Sequence, residues 1–175
     1  MSVIVLTAGH SATDPGAMAG DYTEAALMLE LRDLTADMLR GYGHTVIEDG
    51  EDGENLPLKY ATSLIRQGAL AIELHTNGVE NPAARGVEAI SLADKRPFAQ
   101  ALAQRVAQAL NTRVRGNAGW IDQAQTPRGR LGYVGAGGVI LETFFISNPE
   151  ERARYLGDPQ TVAEAIADVV DEWAS

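Results

Sequence analysis

The sequence predicts a single α/β domain built on a mainly parallel, twisted sheet flanked by helices on both faces. Three observations carry this. Short, continuously apolar runs such as "VIVLTA" (3–8) and "GVILETFF" (138–145) read as strands buried on both sides, the habit of parallel sheets. Between such runs lie stretches with apolar residues at helical spacing, so strand and helix alternate. The connections are short, and 175 residues that are 45% hydrophobic suffice for one sizeable core.

In chain order, "VIVLTA" is too short and too β-branched for a helix. Leu27, Leu31, Leu34 and Met38 then form the apolar stripe of a helix that opens near Thr23 and is stopped by Gly41 and Gly43. "HTVIED" is a second strand, with His44 in an exposed turn, and "NLPLKYATSLIRQG" a shorter helix opening after Asn55 and closing at Gly68. "ALAIELH" and "GVEAISL" are further strands, and Phe98, Leu102, Val106 and Leu110 mark a helix at strict i+4 spacing. Residues 111–138 are the least regular. After the last strand, "SNPEERARYL" opens a helix with Asn148 as N-cap, Pro149 at N1 and Glu151 at N3. A final helix from Asp158-Pro159 turns Val162, Ile166, Val169, Val170 and Trp173 to the core.

Composition narrows the chemistry. With 14 Lys+Arg against 24 Asp+Glu, the net charge of −10 repels nucleic acid and anionic lipid. There is no cysteine, so disulfides and thiolate metal sites are excluded and any metal must use His and carboxylates. No stretch has the length and apolarity of a membrane span, and Met1-Ser2-Val3 opens without a basic, signal-like segment. The expectation is a monomer made in the cytoplasm, with neither nucleic acid nor membrane as partner.

In open α/β sheets, ligands bind beyond the carboxyl ends of the strands. Three strands carry reactive groups there: His10 after "VIVLTA", His75 closing "ALAIELH", and Glu142 within "VILETFF", on the face of Ile140 and Phe144 by strand alternation. His10 and His75 are the plausible imidazole pair for a metal. A hydrolytic zinc site commonly adds one carboxylate and leaves a position for water. Glu24, opening the first helix, is the first choice, with Asp14 and Asp21 as alternatives from the same loop. Glu142, buried among apolar neighbours, needs a cation or strong donor to meet it; a metal-bound water and an arginine such as Arg128 or Arg130 both qualify. Glu73, two residues before His75, either orients an imidazole or is an edge charge.

These segments resemble the zinc-dependent N-acetylmuramoyl-L-alanine amidases, cell-wall hydrolases of bacteria and phage endolysins. The resemblance spans nearly the whole chain. "LTAGHSATDPGA" is similar to the family's strand-Gly-His-loop-Asp-Pro-Gly-Ala opening, and "TEAALMLELRDLTADML" to its first helix beginning on a metal-binding Glu. "IELHTNG" matches its His-x-Asn motif, and "VILETFFISNPEE" its closing Glu strand followed by Ser-Asn-Pro and acids. Thr7-Ala8, Ser11-Ala12, Glu73 and Phe144 depart from the residues usual there.

The resemblance implies His10, Glu24 and His75 as zinc ligands and Glu142 as the catalytic glutamate. It further implies peptidoglycan as partner and cleavage of the amide joining N-acetylmuramic acid to L-alanine of the stem peptide. Asn77, of the His-x-Asn motif, and Arg128 and Arg130, in a glycine-rich loop, are candidate substrate contacts. Residues 1–175 are expected to be one catalytic domain without a separate wall-binding domain, as in a phage endolysin that reaches the wall through a holin-type lesion. Two alternatives remain: another zinc hydrolase of cell-wall peptides, carboxypeptidase-like, and an inactive wall-binding homologue.

Overall fold

The computed structural model describes residues 1–51 and 53–174. A six-stranded sheet forms from β1 (Val3–Ala8), β4 (Thr45–Glu48), β5 (Leu70–Asn77), β6 (Glu88–Ser91), β7 (Trp120–Asp122) and β8 (Val139–Phe145), in the order β4-β1-β5-β8-β6-β7. A small antiparallel ribbon, β2 (Met18–Ala19) with β3 (Tyr22–Thr23), stands apart in the loop after β1. β4, β1, β5 and β8 run parallel, whereas β6 is antiparallel to β8 and β7 follows β6. The start of β6 therefore lies beside the end of β8.

Among the described residues six α-helices pack around the sheet: α1 (Glu24–Gly41), α2 (Leu58–Leu64), α3 (Arg96–Ala109), α4 (Gly132–Gly135), α5 (Pro149–Gly157) and α6 (Pro159–Ala174). The two sheet faces are covered unequally. Leu27, Met28 and Leu31 of α1, Leu102 and Val106 of α3, Tyr155 of α5 and Ile166 and Val170 of α6 build the large core with Ile4, Leu6, Ile72, Leu74 and Leu141. The other face carries only a small cluster, in which Ala61 and Leu64 of α2 and Tyr133 and Val134 of α4 meet Val5, Ala71, Ile90 and Ile140. Alternation along β5, β6 and β8 puts Glu73, His75, Glu88 and Glu142 on this thinly covered face.

Four local expectations are corrected. Glu142 shares its face with Ile140 but not with Phe144, because β8 bulges: the register runs from His75 opposite Glu142 to Asn77 opposite Phe145, one extra residue on β8. Phe144 is thereby turned into the large core and stacks on Tyr155 with centroids 4.9 Å apart. His44 is buried, not exposed, since the end of α6 closes over its turn and Asp171 Oδ1 sits 2.9 Å from its Nε2. Trp173 is half exposed: its ring touches Phe98, but its neighbours in the last turn of α6, Asp171, Glu172 and Ala174, are not buried either. The second helix begins only at Leu58, after Pro57, because the Asn55 side chain is used elsewhere: its Nδ2 donates to the His10 carbonyl at 3.0 Å.

At α5 the N-cap is as expected, Asn148 accepting the amides of Glu150 and Glu151. Glu151 does not reach back to the cap. Its buried carboxylate accepts instead from Gly86 N (2.8 Å), Thr112 Oγ1 (2.5 Å) and Phe145 N (2.9 Å), tying three segments together.

Candidate metal and catalytic site

Sequence-distant groups meet at the C-terminal edge of β1, β5 and β8. His10 follows β1 in the left-handed region, φ 69°, a conformation histidine tolerates better than most side chains. Asn55, holding its carbonyl, helps fix that turn. Glu24 opens α1 under the Thr23 N-cap, 3% exposed, and its Oε2 lies 3.1 Å from His10 Nε2. Its Oε1 lies 2.8 Å from His75 Nδ1 and accepts the Thr76 amide, while Oε2 accepts the Ala17 amide. One carboxylate thus touches both imidazoles, whose rings stand edge to face with centroids 5.3 Å apart.

Two glycines make the convergence possible. A Cβ on Gly9 would overlap the His75 ring, and one on Gly16, φ 67°, would stand 2.6 Å from both Glu24 Oε2 and His10 Cδ2. The far nitrogens of the imidazoles are held as well. Asp14 Oδ2 is 3.0 Å from His10 Nδ1, and Glu73 Oε2 is 3.1 Å from His75 Nε2. Asp14 therefore orients His10 from behind instead of joining the three facing groups, and Glu73 makes the contact that orientation of His75 requires. That leaves His10 Nε2, His75 Nδ1 and Glu24 to face one another, all within 4.8 Å.

Electrostatics follow from this packing. The Glu24 contact and charge hold His10 above its ordinary value. Burial opposes a charged His75, but Glu24 and Glu73 outweigh it and hold that imidazole well above 6.5. Glu24 is buried too, yet the two imidazoles keep its carboxyl well below the usual range. Glu142, opposite His75 in the ladder, is pushed up to about 7 by burial, with His75 pulling the other way. Its Oε2 is shielded from solvent with no hydrogen-bond partner among the described residues, as are Thr76 Oγ1 and Asn77 Nδ2, which follow His75 in β5.

These residues fit a divalent cation. Two imidazole nitrogens and a carboxylate face one another, each imidazole is backed by a second carboxylate, and Glu142 presents an unsatisfied oxygen. Four carboxylates around two imidazoles leave a negative surplus that a cation would neutralise.

Among the described residues, neither Arg128 nor Arg130 forms an ion pair or hydrogen bond with Glu142; both are exposed, and Arg130 Nε lies beside Gly135. A second pair was not singled out in the sequence. Glu88 is the register partner of Glu142, and Arg115 Nε lies 2.6 Å from Glu88 Oε2. Glu88 starts its strand, so a search of strand ends passes over it, and only the antiparallel turn of β6 brings it to this edge.

An α/β sheet with two imidazoles and a carboxylate converging at its edge, and a further carboxylate alongside, has the arrangement of a hydrolase site. Residues 4–172 match the family model for N-acetylmuramoyl-L-alanine amidase, and the chain belongs to that family. It is accordingly an amidase whose substrate is peptidoglycan. Among solved structures it is similar to a Neisseria meningitidis protein provisionally assigned as N-acetylmuramoyl-L-alanine amidase, with 40% identity, TM-score 0.92, and coverage of 98% of this chain and 95% of that one. The catalytic domain of CwlV, an N-acetylmuramoyl-L-alanine amidase of Bacillus (Paenibacillus) polymyxa var. colistinus, shares the fold at 23% identity, TM-score 0.84, covering 99% and 98%. So does the catalytic domain of CD27L, an endolysin described as targeting Clostridia difficile, at 24% identity, TM-score 0.69, covering 97% of each chain. No curated protein matches the chain.

Proposed function

We propose that the amidase works with zinc, held by His10, Glu24 and His75, and that Glu142 carries the protons. One observation bears most of the weight: the three facing ligand groups lie within 4.8 Å of one another while Glu142, beside His75 in the sheet, offers an unpaired oxygen. A zinc ion there supplies positive charge that polarises the scissile carbonyl and lowers the pKa of an attacking water.

The chain's own residues do the rest. Asp14 and Glu73 fix which imidazole nitrogen faces inward. Glu142, ionised, accepts a proton from the attacking water as the water oxygen bonds to the lactyl carbonyl carbon. It returns that proton to the nitrogen of L-alanine as the C–N bond breaks, leaving a carboxylic acid on the muramic side and a free amine on the peptide. A carboxyl pushed toward neutrality suits both transfers. Asn77, Arg128 and Arg130 are proposed to contact the substrate along the groove.

Digestion of purified peptidoglycan by the zinc-loaded protein tests this reading. Free stem peptides with an L-alanine amino terminus are expected. New reducing sugar ends, or only shortened peptides, overturn it, and an inert, zinc-loaded, folded protein assigns it to wall binding without catalysis.

We further propose a lytic setting, in which the enzyme gathers inside the producing cell and reaches the wall through a membrane lesion. Its support is the shared fold with an endolysin catalytic domain. The greater similarity to the Neisseria protein favours a second reading, wall remodelling by a bacterium. Expression inside a bacterial cell separates them: lysis only when a membrane-permeabilising protein is co-expressed supports the first, and altered cell separation without it the second.

A further inference from the structure

Glu142 stands beside a second carboxylate whose charge is already answered. Glu88 is its register partner across the antiparallel pairing of β6 with β8, so the two side chains leave the same face with Cβ atoms about 5 Å apart. Neighbouring carboxylates at such spacing repel each other or share a proton. Arg115 intervenes here. Its Nε donates to Glu88 Oε2 at 2.6 Å, and its guanidinium lies 4.9 Å from the centroid of the Phe145 ring, at the end of β8.

The surrounding backbone fixes this arrangement. Val87 N donates to Arg113 O and Arg115 N to Val87 O, both at 2.9 Å, so the segment carrying Arg115 pairs with the residue just before β6. A Cβ on Gly86 would stand 2.9 Å from Arg115 Cγ, and the bare glycine leaves room for that stem. Glu151 ties the three segments together with one carboxylate, accepting from Gly86 N at 2.8 Å, Thr112 Oγ1 at 2.5 Å and Phe145 N at 2.9 Å. These donors lie within three residues of Glu88, Arg115 and Glu142 respectively. One anchor thus sets all three groups before substrate arrives.

The unequal pairing decides where a proton goes. Glu88 Oε2 is engaged by Arg115, whereas Glu142 Oε2 has no partner among the described residues. The charges of Glu24 and Glu88 raise Glu142, and those of His75 and His10 lower it. We propose that Arg115 is a positioning residue for the amidase reaction: by engaging Glu88 it stops the two carboxylates from sharing one proton and leaves Glu142 free to carry it. The proposal rests on the assignment of Glu142 as proton carrier.

The test uses the zinc-loaded protein and a soluble muramoyl-peptide substrate. Arg115→Met keeps an unbranched stem against Gly86 but frees Glu88, and kcat should fall about ten- to a hundred-fold with little change in KM, as for a displaced acid–base group. Removing the freed carboxylate as well, in Glu88→Gln/Arg115→Met, should restore kcat to within about threefold of Glu88→Gln alone. A merely structural ion pair does not produce that non-additivity. Arg115→Lys, which keeps the cation, should retain most of the rate. Zinc content and melting temperature are measured for every variant, and Arg115→Gln replaces Arg115→Met if the latter does not fold. The proposal is overturned by a double variant as slow as Arg115→Met, by Glu88→Gln as slow as Arg115→Met, or by failure of both Arg115 variants to fold. Glu142→Ala keeps the two readings apart. Full activity there removes Glu142 as proton carrier and this proposal with it, whereas an inactive Glu142→Ala without rescue in the double variant removes only the role of Arg115.

Discussion

Glu24 and His75 are locked together at the edge of the sheet: Glu24 Oε1 lies 2.8 Å from His75 Nδ1 and accepts the amide of the next residue, Thr76. The contact joins the first turn of α1 to the end of β5, so geometry at the proposed metal is set by the docking of a helix on a strand. Each of the three facing groups depends on the others.

His75→Ala should therefore lose zinc. A bound ion adds about 2.7 kcal/mol to folding at a hundred-fold excess over its dissociation constant, so chelation should lower the wild-type melting temperature by several degrees. The variant should start near that lower value and not respond to chelator. Full zinc occupancy in the purified variant would remove His75 from the ligand set.

Glu142→Ala should keep its zinc and lose activity by about a hundred-fold or more, the usual contribution of a positioned acid–base group. Loss of metal in that variant would make Glu142 a ligand. The acid limb of kcat/KM follows from its environment. Burial raises Glu142 to about 7, so the ionised base is lost as pH falls through that region, and a bound cation draws the midpoint down toward the ordinary 4.5. Activity should rise to a plateau with a midpoint between these values, with zinc content measured at each pH to separate proton transfer from metal release. A rate flat from pH 4 to 8 would contradict this.

Gly9→Ala should cost about 1–3 kcal/mol and weaken metal retention, because the added methyl overlaps the His75 imidazole. Gly157→Ala, where nothing stands within 4 Å of the added carbon and φ is not positive, controls for the loss of a glycine alone. Unchanged zinc affinity in Gly9→Ala would show that His75 can move without consequence.

Arg32→Ala should destabilise by about 3–5 kcal/mol in urea unfolding, since it strands a buried acid. Arg32 is fully buried; its Nη1 donates to Asp49 Oδ1 at 2.9 Å and to the Glu54 carbonyl at 2.8 Å. Asp49 in turn accepts the Ala8 amide, and the same loop delivers Asn55 to the His10 carbonyl. Zinc affinity should fall with stability. A loss under 1 kcal/mol would mean that the loop is held by other contacts.

The strands and long helices were legible because their signal is local. Periodicity and length distinguish "VIVLTA" from the stripe of Leu27, Leu31, Leu34 and Met38, and a cap such as Asn148 needs only its own neighbours. The sequence by itself also determined which groups could serve: with no cysteine and three histidines, His10 and His75 stood out at strand ends, and Glu24 opened the following helix. What only the tertiary structure decided were relations across the sheet. The bulge that sends Phe144 into the core, the antiparallel β6 that sets Glu88 beside Glu142, and the seating of Arg115 between Gly86 and Glu88 all depend on register between distant segments. Asp14 behind His10 and the clearances at Gly9 and Gly16 are likewise matters of ångströms. Local pattern fixes which side chains exist on an element, whereas pairing and close packing fix which of them meet.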